Sequence, residues 1–427
     1  MTINRTIPPS INEIKSFNII KASKNILKNG IPLYLINSDN TELVKIELMF
    51  AAGNWFQKSA ITAFAVNQLL IEGTTKYNSA WIADMIEFYG AFLGYNVDKD
   101  YAYVSFFTMS KFLPEVLPLL EDIIKNATFP ENEVSQFAKK HKQQFQIEQT
   151  KLKNIARSVN ARTIYGNKHP YGYMIVEEDF DSLSRNELVD FYKHFYCSSR
   201  CTIIASGAIK EKDIILIEKC FGNGEWNNNG LNKEILYSVT PEKERKIYIE
   251  KPGAVQNSVR IGKELFNKFH PDYIGMSVVN CILGGYFGSR LMKTIREEKG
   301  YTYGINSLFV TLLHSGYISI ASDLGTKVTK IAINEIYNEI EILRTVLVPE
   351  SELERVKNFI LGEVVRMFDG PFAQAESLIS LLEYNFGYEF YDNYIENIKL
   401  ISAQQVLALA KKHLDPESFF EVVVGVM

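Results

Sequence analysis

Between residues 284 and 303 the chain runs Gly284-Gly285-Tyr286-Phe287-Gly288-Ser289-Arg290-Leu291-Met292-Lys293-Thr294-Ile295-Arg296-Glu297-Glu298-Lys299-Gly300-Tyr301-Thr302-Tyr303. The paired glycines close one helix and turn into the next. They do not form a phosphate loop, because no Lys and Ser/Thr follow. A short helix is expected from Ser289 to Glu298, ending at Gly300, with a strand rich in Tyr and Thr after it. Working outward, Tyr273 to Leu283 reads as a helix. Tyr301 to Leu312 and Gly316 to Ser322 read as a strand pair. Val328 to Leu343 and Ser351 to Met367 are helical by spacing, and Val259 to Ile261 is strand-like.

The chain looks duplicated. Phe129-Pro130-Glu131 and Val348-Pro349-Glu350 each open a helical segment, with Pro and acids at the start. The two prolines lie 219 residues apart. Lys193-His194-Phe195 and Lys412-His413-Leu414 keep the same offset, and each precedes an apolar run. Two landmarks at one offset predict two similar halves. The first half mixes strands (Pro32 to Ile36, Leu43 to Phe50, Tyr101 to Thr108) with helices (Ile61 to Ile71, Trp81 to Tyr89, Phe112 to Asn126). An Asn/Gly-rich stretch separates the halves, and a strand-like Lys246 to Ile249 follows it. The expected organisation is a first domain over 1–228, a linker over 229–243 and a second domain over 244–427. The fold class is α+β, with helices packed on an antiparallel-rich sheet, twice.

Composition narrows the function. Of 427 residues, 46% are hydrophobic and 22% charged, as in a globular protein with a large core. The net charge of −4 disfavours broad binding to nucleic acid or an anionic membrane. No apolar run is long enough for a membrane span. Met1 to Lys24 lacks the apolar core of a secretory signal, so a cytoplasmic location is expected. Four cysteines, Cys197, Cys201, Cys220 and Cys281, read as reduced thiols, because no second pair completes a zinc knuckle. The six histidines stand apart, and neither HExxH nor HxxEH occurs.

The 284–303 stretch resembles the second half of the pitrilysin/insulinase-type (M16) metallopeptidases, whose pattern is roughly GG-x-x-x-SRL-x-x-x-IRE-x-x-G-x-x-Y. Three further segments extend the resemblance over the chain. Ala52-Gly53-Asn54-Trp55 resembles the strand end before the family's zinc helix. Glu72-Gly73-Thr74-Thr75 resembles the close of that helix. Tyr165-Gly166-Asn167-Lys168-His169-Pro170-Tyr171-Gly172 resembles the family's Y-G-x-x-HPYG. The resemblance implies two two-layer domains of the LuxS/MPP-like metallohydrolase fold, facing each other like a clam.

It also implies where zinc chemistry belongs. Anchored on Gly73-Thr74, the family's HxxEH falls on Phe64-Ala65-Val66-Asn67-Gln68. Phe64 and Gln68 stand where the family has histidine ligands, and Asn67 where it has the water-activating glutamate. The third ligand falls at Gln144, between Gln143 and Phe145. None of these is a good zinc ligand, and an amide takes no proton from water near pH 7. His141, one turn before Gln144, has no second histidine near it in sequence. Phe64, Asn67 and Gln68 share a helix face by spacing. That face either lines a chamber or packs into the core.

The second-half motif is complete. In the family an Arg and a Tyr reach a partner domain's zinc site, hold the substrate backbone and stabilise the oxyanion. Here they are Arg296 and Tyr303, seven residues apart. Read without the family, Arg296 is a helix-terminal ion-pair residue and Tyr303 an ordinary strand residue. The resemblance gives two expectations. One is a subunit without its own cofactor, paired with an HxxEH-bearing chain that carries zinc, the two acting on peptide substrates. The other is a non-enzymatic peptide-binding or structural homologue, working as a homodimer or a core subunit.

Overall fold

The computed structural model describes residues 19–227 and 236–426. Most of Met1 to Lys24 and the first part of the expected linker lie outside the described residues. The first sheet holds β1 (Ser23–Ile26), β2 (Pro32–Asn37), β3 (Leu43–Phe50), β4 (Phe92–Val97), β5 (Ala102–Met109) and β6 (Cys201–Gly207), in the order β1-β2-β6-β3-β5-β4. The second holds β7 (Lys246–Glu250), β8 (Gln256–Leu265), β9 (Ile305–Thr311), β10 (Gly316–Gly325) and β11 (Phe420–Gly425), in the order β7-β11-β8-β10-β9. Only β2–β6 and β7–β11 pair parallel; every other pair is antiparallel.

The duplication is visible in matched geometry. Pro130 and Pro349 each sit just before a helix, Glu131–Glu148 and Glu350–Arg366, with φ of −58° and −59°. The helix Arg185–Phe195 leads to β6, and Ala403–His413 leads to β11. In both halves the last strand runs parallel to one neighbour and antiparallel to the other. The motif strand starts later than the sequence suggests. β9 begins at Ile305, not Tyr301, because Gly300 turns the chain at φ +65° and Thr302 spends its hydroxyl on the Asp323 carbonyl, 2.7 Å away.

Strand burial explains the layering. β3 is buried at every position after Leu43, and β11 at all six positions. A sheet with one wet face would alternate. Each half is thus a sheet with its own helices on one face, as expected, and among the described residues each sheet also takes a helix from the other half on its reverse. Ala375, Leu378 and Ile379, on the helix Gly370–Leu382, pack on Ile36, Met49 and Ile204 of the first sheet. Ile155, Ala156 and Val159, on the helix Leu152–Tyr165, pack on Val422 and Val424 of the second. The exchange was not readable from one half's periodicity, because each lent helix is complemented by strands of the other half.

The HPYG segment lies where the halves meet. Tyr171 donates its hydroxyl to Asp100, which also accepts from the Leu313 amide at 3.0 Å. Trp55 stacks on His314, ring centroids 3.8 Å apart. His169 is buried beside Trp55 and Tyr165, and its Nδ1 accepts from the Tyr171 amide at 3.1 Å. Burial, then the nearby positive charges of Lys99 and His314, push its pKa down to about 4. The unfolded chain takes up this proton near pH 6.5, the folded chain only near 4, so acid favours the unfolded state. The stability advantage of wild type over H169Q is expected to be full above pH 6.5 and to shrink as pH falls towards 4. Urea melts of both proteins across that range check this, and a constant difference would refute it.

Candidate functional site

The helix carrying the zinc-motif positions is Thr62–Leu69. Its buried side bears Ala63, Ala65, Val66 and Leu69, the apolar contacts that hold it on the first core. Phe64 is half-buried and packs against that core. Its ring lies 5.6 Å from Phe137 and meets His141 edge-on at 5.1 Å. Phe137 and His141, both on the helix Glu131–Glu148, are 4.1 Å apart. The place between the two helices is thus filled by carbon and one imidazole. Burial, followed by Lys140, lowers the pKa of His141.

Asn67 does not share the Phe64 surface. It is fully buried and donates to the Tyr103 carbonyl at 3.2 Å and the Tyr196 hydroxyl at 3.0 Å. Of the two alternatives open for the face of 64, 67 and 68, lining a chamber or packing into the core, Asn67 takes the second. Helical spacing puts Asn67 one turn from Phe64, but the buried Tyr196 draws it inward. Gln68 stays half-buried. Gln144 is exposed, its amide 3.1 Å from Glu148 of its own helix. These side chains do not fit a zinc ion: a phenyl ring, a core-tied amide and an outward amide offer no convergent donor set. Among the described residues no group of three or more His, Cys, Asp or Glu could hold a metal. Asn67→Glu is expected to destabilise the chain by roughly 2–4 kcal/mol, since the site must take an extra methylene and a charge. Denaturant midpoints check this, and an unchanged midpoint would count against it.

The second constellation is built differently. Two π-helical stretches, Cys281–Gly285 and Met292–Glu298, bracket the glycine-rich bend. The wide i→i+5 spacing is seen in Lys299 N–H donating to the Thr294 carbonyl at 3.1 Å. Such stretches are rare and occur frequently at functional sites. Leu291 and Ile295 enter the second core. The motif's two arginines then part company. Arg290 makes a two-pronged pair with Glu352, both contacts 2.9 Å. Arg296 makes no ion pair or hydrogen bond among the described residues; its guanidinium lies over the Phe287 ring, 4.8 Å from the centroid.

Tyr303 stands on the short loop before β9 and is 92% exposed. Its neighbours fix that loop: Thr302 bonds Asp323, Ser322 and Gly304. Arg296 and Tyr303 form no hydrogen bond with each other among the described residues; each meets its own surroundings. Phe287 has no counterpart in the sequence reading. The signal that could have found it is a large aromatic between glycines in a segment otherwise rich in turn formers.

Comparisons with known proteins bear on this geometry. Residues 33–173 match the model described as Insulinase (Peptidase family M16), and residues 182–360 the one described as Peptidase M16 inactive domain. Together the matches span about three quarters of the chain. The chain belongs to the M16 peptidase family. This M16 chain is 23% identical over 342 residues to YmxG of Bacillus subtilis (strain 168), named an uncharacterized zinc protease, covering 79% of this chain and 82% of that one. It is 22% identical to the mitochondrial-processing peptidase subunit beta of Mus musculus, over 83% of this chain and 74% of that one. A peptidase M16 inactive domain structure from Pseudomonas fluorescens superposes with a TM-score of 0.86, at 21% identity, covering 96% and 99% of the two chains. A protease structure from Helicobacter pylori gives the same TM-score at 14% identity, covering 96% and 100%. No helix among the described residues is long and apolar enough to cross a membrane.

Proposed function

We propose that this chain is the zinc-free subunit of a two-chain M16 peptidase. It lends Arg296 and Tyr303 to a peptide held at the zinc of an HxxEH-bearing partner. The observation that carries the reading is a contrast between the halves. The zinc-motif positions are spent on packing and core hydrogen bonds. The Arg/Tyr positions are left uncommitted on a rigid frame. Among the described residues the Arg296 guanidinium meets the Phe287 ring and no carboxylate, so its N–H donors are available to a ligand.

The chemistry is that of oxyanion stabilisation. As a peptide bond is hydrolysed, negative charge gathers on the carbonyl oxygen. A permanently charged guanidinium and a phenol O–H can donate to it. Both act from outside the partner's site, so the chain alone binds peptide without cutting it.

A tagged pull-down from the native cell, at endogenous level, tests the reading. A near-equimolar chain bearing HxxEH is expected, and peptide turnover when the two are mixed. Recovery of this chain only with itself, with peptide bound and uncut, would overturn the two-chain reading in favour of a peptide-binding homodimer.

A further inference from the structure

We propose that Phe287 is a positioning residue for Arg296, holding the guanidinium by its face so that its edge donors stay free. For its consequence in turnover this rests on the two-chain reading; the contact itself does not.

Phe287 is 64% exposed, and what it meets is the Arg296 guanidinium. It stands at the tip of a tight turn closed by Ser289 N–H on the Tyr286 carbonyl at 3.1 Å. That turn is anchored on both sides. Tyr286 packs on Phe359, ring centroids 4.8 Å apart. Arg290 grips Glu352. Gly288 lets the turn pass close to Tyr286, since a Cβ there would come within 2.7 Å of the ring and push it aside. With Tyr286 turned inward and Arg290 tied down, Phe287 is held outward, and the Arg296 guanidinium lies over it.

The kind of contact matters. A guanidinium carries its N–H donors in its plane, in a fixed fork. A carboxylate partner would consume those donors, as Glu352 consumes those of Arg290. An aromatic face takes the cation from above and leaves the fork free. Glu297 and Glu298 are adjacent in sequence, yet neither forms an ion pair with Arg296 among the described residues; Glu298 pairs with Lys293 instead. The stack therefore supplies order without occupying the groups that a substrate carbonyl needs.

The test is phenylglyoxal labelling of the full-length chain, with adducts located by peptide mass spectrometry. Arg290, locked to Glu352, is the internal reference, and a thermal melt confirms each variant is folded. F287A and F287L are expected to raise labelling of Arg296 about two- to fivefold, the factor an exposed cation–π contact is worth, with Arg290 unchanged and F287W restoring protection. Labelling at the wild-type rate in both F287A and F287L would overturn the proposal. In the two-chain complex, the same variants are expected to lower kcat by a similar factor with KM little changed, and F287W to recover it. A rise in KM alone would mean that Phe287 touches peptide instead, and would also overturn it. If R296A turned over normally, the two-chain reading would fall, while the labelling would still decide whether Phe287 holds Arg296.

Discussion

Replacing Arg296 by alanine is expected to lower kcat of the assembled two-chain peptidase by roughly 10²–10³, the cost of removing one donor from an oxyanion site. Assembly and the thermal midpoint are expected to stay put, because Arg296 forms no ion pair or hydrogen bond within the chain among the described residues. The contrast with Arg290 is the control. R290A breaks the buried grip on Glu352 and is expected to lower stability first. R296K keeps the charge but loses the planar fork, and is expected to recover only part of the rate. Steady-state kinetics with a synthetic peptide decide it. Normal turnover by R296A in an intact complex would sink the assignment.

The second large effect concerns stability. Asp100 accepts from the Tyr171 hydroxyl and the Leu313 amide, and so joins the first sheet's edge loop to both the HPYG segment and the second half. Burial, the largest influence, raises its pKa, against the lowering by those two donors. Asp100→Ala removes the acceptor and leaves two donors stranded, at about 1–3 kcal/mol each, so a loss of roughly 2–5 kcal/mol is expected. Tyr171→Phe removes one donor and leaves Asp100 bonded to Leu313, so its loss is expected to be smaller. Urea unfolding followed by both tryptophan fluorescence and far-ultraviolet dichroism measures this, since Trp55 lies at the junction. A loss below about 1 kcal/mol for D100A would show that water replaces the carboxylate at no cost.

How legible was this in the sequence? Strands with branched and aromatic runs were readable to within a residue or two, as at Leu43 to Phe50 and Pro32 to Ile36. The repeat at one offset was readable because proline opens a helix by its own geometry. β4 escaped notice, since Gly94 and Asn96 dilute its pattern. The lent helices escaped too, because an amphipathic stripe says that a face is buried and not against what. At the candidate site, the family resemblance, anchored on Gly73-Thr74, gave the positions of Phe64, Asn67 and Gln68. It did not give the fate of Asn67, which a buried tyrosine on a distant loop decides. Likewise, nothing in the string Arg290 to Arg296 says which arginine is engaged; Glu352, sixty-two residues on, settles that.

The exchanged helices set a limit on motion. Parting the two halves would strip Leu378 and Ile379 from Ile204, and Ile155 and Val159 from Val422, wetting both sheet reverses together. At about 1.5–3 kcal/mol per fully buried aliphatic side chain, six such residues match the whole stability of a domain. Among the described residues, opening the two halves against each other is therefore costly. If the proposed two-chain assembly holds, a gate for peptide is expected at the seam between this chain and its partner rather than between the two halves.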